Sequence, residues 1–218
     1  MSILLSLQSP VIGIWKITES WQDMLASLGD NDTYLRETKK IISDKRKQEW
    51  LAVRLLLKHL AGDNAHIDYC KNGAPVLKNS SYNISISHTT GFAAVILSKN
   101  SYPGIDIEYH SGRAWRLRRR FLGDKELDMF ALLDDKAQDN SEKKITNEQL
   151  ATICWCAKET AYKALQQTEV DFIDHLHLSP FIISAKGNLS IKETKTPSQQ
   201  TFRINYHIED DYILTWKE

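Results

Sequence analysis

The sequence carries no net charge: 28 lysines and arginines stand against 28 aspartates and glutamates, with a pI near 7.1. That balance excludes a generic nucleic-acid binder, which needs a strongly basic domain. No apolar run approaches the roughly 18 residues of a membrane span. The first residues are apolar in flavour but lack the basic segment and small-residue cleavage site of a leader peptide. A first strand is expected there, in a cytoplasmic protein. Cysteine is scarce, with only Cys70, Cys154 and Cys156, an odd count that makes no disulfide framework and, at this spacing, a poor metal site. There is no GxSxG elbow and no GxxxxGK(S/T) or GxGxxG loop, so serine hydrolysis and nucleotide binding by those devices lack support.

What is present is a globular composition, 42% hydrophobic and 26% charged over 218 residues, enough for one large domain or two small ones. The neutral sum hides local fields. Between residues 36 and 58 there are eight basic and three acidic side chains. Five of the nine arginines (Arg113, Arg116, Arg118, Arg119 and Arg120) fall within eight positions that hold no acid. Residues 124–148 reverse the sign, with eight acids against four lysines. Such blocks are often plain solvated faces; two anion-facing surfaces are the sharper reading.

Periodicity predicts a strand over 11–17, a helix over 20–28, and a long helix opened by Ser43-Asp44 and stopped at Gly62. That long helix is too densely apolar for a single buried stripe. A strand pair around the turn at 71–75 is followed by strands over 82–87, 91–98 and 105–109. An arginine-rich helix is expected over 113–121, a further helix from 124, a loop over 134–146, and a helix capped by Asn147 reaching about 167. Short strands then run to Trp216, with a hairpin turn at Asp210-Asp211. Strand, helices and strands thus occur twice, split near Tyr102. The expected fold is α+β, two similar subdomains each with a small, mainly antiparallel sheet packed on a long helix. Their bounds are 1–102 and 103–218.

Three segments carry chemistry. In Gly104-Ile105-Asp106-Ile107-Glu108 the two carboxylates lie two apart on a strand and project from one face. A hard cation such as Mg²⁺ would relieve their repulsion; an edge strand facing water has the same pattern. In Trp155-Cys156-Ala157-Lys158-Glu159-Thr160-Ala161-Tyr162-Lys163, Glu159 and Lys163 share a helical face with Trp155 and Tyr162. They read as a surface ion pair, or as a metal carboxylate with a lysine beside it for phosphate. In Asn83-Ile84-Ser85-Ile86-Ser87-His88-Thr89-Thr90-Gly91 a strand ends in hydroxyls, a histidine and exposed N–H groups suited to phosphate, although a tight turn with a satisfied histidine needs no ligand.

In order, these segments resemble the signature of the 4′-phosphopantetheinyl transferases, of the larger, surfactin-synthetase-activating type that is a pseudo-dimer within one chain. Supporting matches are Lys45-Arg46-Lys47 with Arg54, Gly73-Ala74-Pro75, and Arg120-Phe121-Leu122 with Glu126. The resemblance covers roughly residues 45–163. One departure is Ala74, where the family often has a lysine on a coenzyme A phosphate, so that contact is lost or passes to Lys71 or Lys78.

The resemblance implies an enzyme that moves the phosphopantetheine arm of coenzyme A onto a serine of an acyl or peptidyl carrier protein, releasing adenosine 3′,5′-bisphosphate. Asp106, Glu108 and Glu159 would hold Mg²⁺ (or Mn²⁺), with Asp106, Glu159 and Lys163 catalytic and Glu159, or a water it orients, the base for the serine. Lys158 and Lys163 would face the phosphates, Ser87 and His88 the pyrophosphate, and Arg46 and Arg54 the 3′-phosphate, with Lys45 and Lys47 as helpers. The N-terminal subdomain would supply coenzyme A phosphate contacts and the C-terminal one the carboxylates. An acidic carrier would dock on the arginines of 113–120. A monomer without nucleic-acid or membrane partners is expected. A non-catalytic coenzyme A or nucleotide-binding module and a metal-dependent phosphodiesterase are the alternatives.

Overall fold

The computed structural model describes residues 3–8, 10–29, 32–78, 80–135 and 145–218. The chain forms two compact units, Met1–Pro103 with Glu218, and Gly104–Lys217. Each is a mixed α+β body whose strands pair antiparallel throughout.

In the first unit β1 (Ile3–Gln8) and β2 (Val11–Lys16) form a hairpin. Helices α1 (Trp21–Ser27), α2 (Asp32–Lys40) and α3 (Asp44–Ala61) follow, and α2 had no counterpart in the sequence reading. A small hairpin, β3 (His66–Tyr69) and β4 (Pro75–Lys78), precedes β5 (Asn83–Thr89) and β6 (Phe92–Ser98). The main sheet runs β1-β2-β6-β5. Its inner strand β6 is buried along its whole length, as a continuous apolar run should be. Helix α3 starts where the Ser43 hydroxyl accepts the Arg46 N–H and stops at Gly62, whose φ of +84° suits glycine. From Leu51 to Leu57 every residue is buried, because α3 packs on the sheet and against α1. Two covered sides account for its dense apolar sequence.

The second unit begins with β7 (Gly104–Tyr109). Helix α4 (Arg113–Leu117) tightens into a 3₁₀ turn at Arg118–Arg120, so the arginine segment is shorter and more broken than a helix over 113–121. Helices α5 (Asp124–Asp135) and α6 (Asn147–Leu165) lead to β8 (Leu176–Leu178), β9 (Lys186–Glu193), β10 (Thr201–Ile208) and β11 (Tyr212–Lys217). Of the loop expected over 134–146, positions 134 and 135 close α5, and 136–144 lie outside the described residues. The N-cap of α6 is Thr146, not Asn147: its hydroxyl accepts the Gln149 N–H while the Gln149 side chain accepts the Thr146 N–H. The sheet order is β7-β11-β10-β9-β8, with Asp210-Asp211 turning β10 into β11. Strand β7 is therefore an edge strand beside the last strand of its unit, and α6 lies across both. Among the described residues no helix is long and apolar enough to cross a membrane.

Candidate active site

In the second unit helix α6 packs closely on strand β7. A Cβ added at Gly104 would lie 2.1 Å from the Thr160 carbonyl oxygen, so only glycine lets the helix backbone sit this near the strand. Beside it the Thr160 hydroxyl meets the Thr215 hydroxyl at 2.6 Å, joining α6 to β11. Lys163 completes the clamp, donating to the Ile105 carbonyl at 2.9 Å and to Asp106 Oδ1 at 2.8 Å.

This clamp sets three carboxylates near one another. Asp106 is buried at 5% exposure, opposite Thr215 in the ladder. Glu108 follows two residues on, and its Oε1 accepts the indole N–H of Trp155 at 3.2 Å. Glu159 is half-buried one helical turn before Lys163. Burial pushes the Glu159 carboxyl up to about 7, the charges of Asp106 and Glu108 add to the rise, and Lys163 opposes it. A carboxyl near neutrality is suited to proton transfer. Under the site the Cys156 thiol is pushed well above its ordinary value by burial and the same two carboxylates, so it stays protonated and inert.

As oxygen donors, these carboxylates match a hard divalent cation, and their mutual repulsion is the kind such an ion relieves. Among the described residues no three His, Cys, Asp or Glu side chains converge as a metal cage, since Asp106 turns to Lys163 and Glu108 to Trp155.

Trp155 packs edge-on to Phe121 at 5.1 Å and tilted on Phe172 at 5.6 Å. Beyond it opens a mostly apolar cleft lined by Glu108, Arg113, Ala114, Leu117, Phe121 and Trp155, among others. Arg113, Arg116, Arg119 and Arg120 are exposed nearby in the chain. Arg118 differs: its guanidinium stacks 3.6 Å over Trp115 and donates to the Trp115 carbonyl.

Lys158 corrects the sequence reading. It is fully buried and does not face a phosphate; its ammonium donates to the Phe121 carbonyl, Glu126 Oε2 and the Phe172 carbonyl at 2.7–2.8 Å. All three ammonium hydrogens are thereby engaged. The helix turn that brings Glu159 toward β7 turns its neighbour Lys158 into the core.

In the first unit, Arg46 and His88 are brought together at the start of α3. The Arg46 guanidinium meets the His88 ring and reaches Glu49 Oε2 at 3.1 Å, while His88 Nδ1 is 3.3 Å from the same oxygen. Lys45 donates to the Thr90 hydroxyl at 3.0 Å. Ser87 is buried on β5 beside them in sequence. Lys47 instead pairs with Asp44 at 2.8 Å over the Trp21 ring. Arg54 stands two turns along α3, about 12 Å by helical rise, stacked 3.3 Å over Trp50 and donating to its carbonyl. Burial lowers the Arg54 guanidinium from its ordinary value. Of the two lysines near Ala74, Lys78 is paired with Asp68 at 2.9 Å, whereas Lys71 is exposed in the turn. Glu49 was missed by the sequence reading, although its i,i+3 spacing from Arg46 is the signal that finds it.

The sequence model of the 4′-phosphopantetheinyl transferase superfamily matches residues 102–217, more than half of the chain and the whole of the second unit. The chain belongs to that superfamily. No curated protein matches the chain. The superfamily consists of transferases that take coenzyme A as substrate and act on carrier proteins, and the match spans every strand and helix that bears the carboxylates.

Proposed function

We propose that the protein transfers the 4′-phosphopantetheine group of coenzyme A to a serine of an apo acyl or peptidyl carrier protein, releasing adenosine 3′,5′-bisphosphate. The observation that carries this reading is the coupled set Asp106, Glu108, Glu159 and Lys163, with Glu159 held up to about 7. Two compact units in one chain support the larger, surfactin-synthetase-activating type of the superfamily. Free cysteines suit the cytoplasm.

Asp106, Glu108 and Glu159 would hold Mg²⁺, with Mn²⁺ as substitute. Bound there, the cation supplies charge neutralisation to the pyrophosphate oxygens. Glu159 takes the serine proton at its carboxylate. Lys163 holds Asp106 in place and has a third ammonium hydrogen left for a phosphate oxygen. Arg46 and His88 hold coenzyme A phosphate, with Glu49 orienting both; Ser87 and Arg54 are further contacts. Exposed arginines of 113–120 attract the acidic carrier, which approaches along the apolar cleft at Leu117 and Trp155.

Apo carrier protein, coenzyme A and Mg²⁺, followed by intact-protein mass, test the reading. A phosphopantetheine adduct that Asp106→Ala abolishes supports it. Coenzyme A cleavage without adduct identifies a phosphodiesterase, and binding alone identifies a non-catalytic module. Reversing Arg116 and Arg119 to glutamate is expected to raise the KM for carrier tenfold or more at low salt while leaving the KM for coenzyme A within twofold. An unchanged carrier KM would remove the arginine segment from the docking surface.

A further inference from the structure

The buried Lys158–Glu126 pair has no part in the chemistry above, yet it is unusually well engaged. Glu126 Oε2 accepts Lys158 at 2.7 Å and the Gly123 N–H at 2.9 Å, and its Oε1 accepts the Leu178 N–H at 2.7 Å. Lys158 in turn binds the carbonyls of Phe121 and Phe172. These are the two residues whose rings flank Trp155. Trp155 then donates its indole N–H to Glu108. The pair thus fixes both walls of the slot that holds the Trp155 ring, and the ring fixes a carboxylate of the site. Stability alone does not call for ions here, because apolar replacement of a buried pair is often neutral or stabilising.

We infer that Lys158 and Glu126 are positioning residues, which act through the Phe121–Trp155–Phe172 stack to set the Glu108 carboxylate. This rests on the transferase reading only in that Glu108 serves the reaction. The geometry is a relay of packing and hydrogen bonds within one unit, and its last member is a carboxylate proposed to hold the divalent cation. Small displacements of such a group cost rate disproportionately.

Lys158→Met alone leaves Glu126 as a buried charge without its cation and is expected to unfold part of the chain. The double variant Lys158→Met/Glu126→Gln removes both charges and is the working probe; Glu126→Asp, which keeps both charges but shortens one arm, is the milder one. The indole N–H signal of Trp155, assigned with Trp155→Phe, is read by NMR in the full chain without substrate. In the double variant it is expected to shift and to exchange with solvent at least tenfold faster, and in Glu126→Asp to shift less. Transfer kcat is expected to fall at least tenfold, with the KM for coenzyme A within twofold. An indole signal and exchange rate unchanged in a folded variant overturn the inference, as does a displaced indole with wild-type kcat. If wild-type protein forms no adduct, the transferase reading fails, while the indole measurement still decides whether the pair positions Trp155.

Discussion

Glu159→Gln is expected to lower carrier modification by roughly 10²–10⁴-fold, the range a positioned base contributes, with no loss of melting temperature. The carboxyl sits up at about 7 chiefly because burial penalises its charge. Glutamine keeps the shape and removes that charge. The sign of the accompanying pH dependence follows from the same shift. A carboxyl whose folded value lies above its ordinary value near 4.5 binds its proton more tightly in the folded chain. The stability it contributes is complete below about pH 4.5 and is lost as pH rises through about 7. Over that window the wild-type melting temperature should fall relative to Glu159→Gln. Activity should run the other way, since only the ionised carboxylate accepts a proton: wild-type transfer rises with pH, and the residual rate of the variant does not. Mg²⁺ held at this carboxylate as proposed would favour its ionised form, so added Mg²⁺ should move the Glu159 midpoint below 7, read by carbon NMR. A variant with more than a tenth of the wild-type rate would remove Glu159 as the base.

Gly104→Ala is expected to be the most damaging single-methyl change in the second unit. The new carbon would meet the Thr160 carbonyl oxygen at 2.1 Å and its carbon at 3.0 Å. The obstacle is helix backbone, so no side-chain rotation relieves it. Strand and helix must separate by about 1 Å, and the Lys163–Asp106 and Thr160–Thr215 bonds that span the same gap stretch with them. Overpacking of this kind costs about 3 kcal/mol, or roughly 10 °C of melting temperature for a chain of this size. Gly123→Ala is the control, since its added carbon meets nothing nearer than 3.7 Å. A Gly104→Ala melting point within 2 °C of wild type would mean that α6 has slack over β7. Where the variant stays folded, transfer should also fall, because the clamp that seats Asp106 is the part disturbed.

Much of the fold was legible along the chain. Helix α3 announced itself by Ser43 and Gly62, and the alternation in 82–87 and the run in 91–98 gave β5 and β6. Helix α2 escaped because its polar sequence buries little apart from Thr38. Naming Asn147 as the cap placed the helix start one residue late, since a capping box is chosen by which hydroxyl finds the N3 amide, and Thr146 has Gln149 to reciprocate. In the site, the i,i+2 spacing of Asp106 and Glu108 and the i,i+4 spacing of Glu159 and Lys163 placed the pairs on their own elements. That Lys163 would cross to Asp106 was not legible, because the two are 57 positions apart.

The sequence by itself determined the α+β class and the membership of the superfamily, and it marked the residues proposed to bear the chemistry. It did so because periodicity, caps and short motifs are local properties. Only the tertiary structure decided the partners of those residues. Lys158 and Lys163 look equivalent in the chain, yet five residues of helix rotate one to the core beside Glu126 and the other to Asp106. Glu159 and Glu108 are both acids in a motif, and burial beside two carboxylates sets Glu159 near neutrality. Even the zero net charge is a local matter: desolvation and the neighbouring charge, which depend on distances across the fold, decide which carboxyl carries a proton.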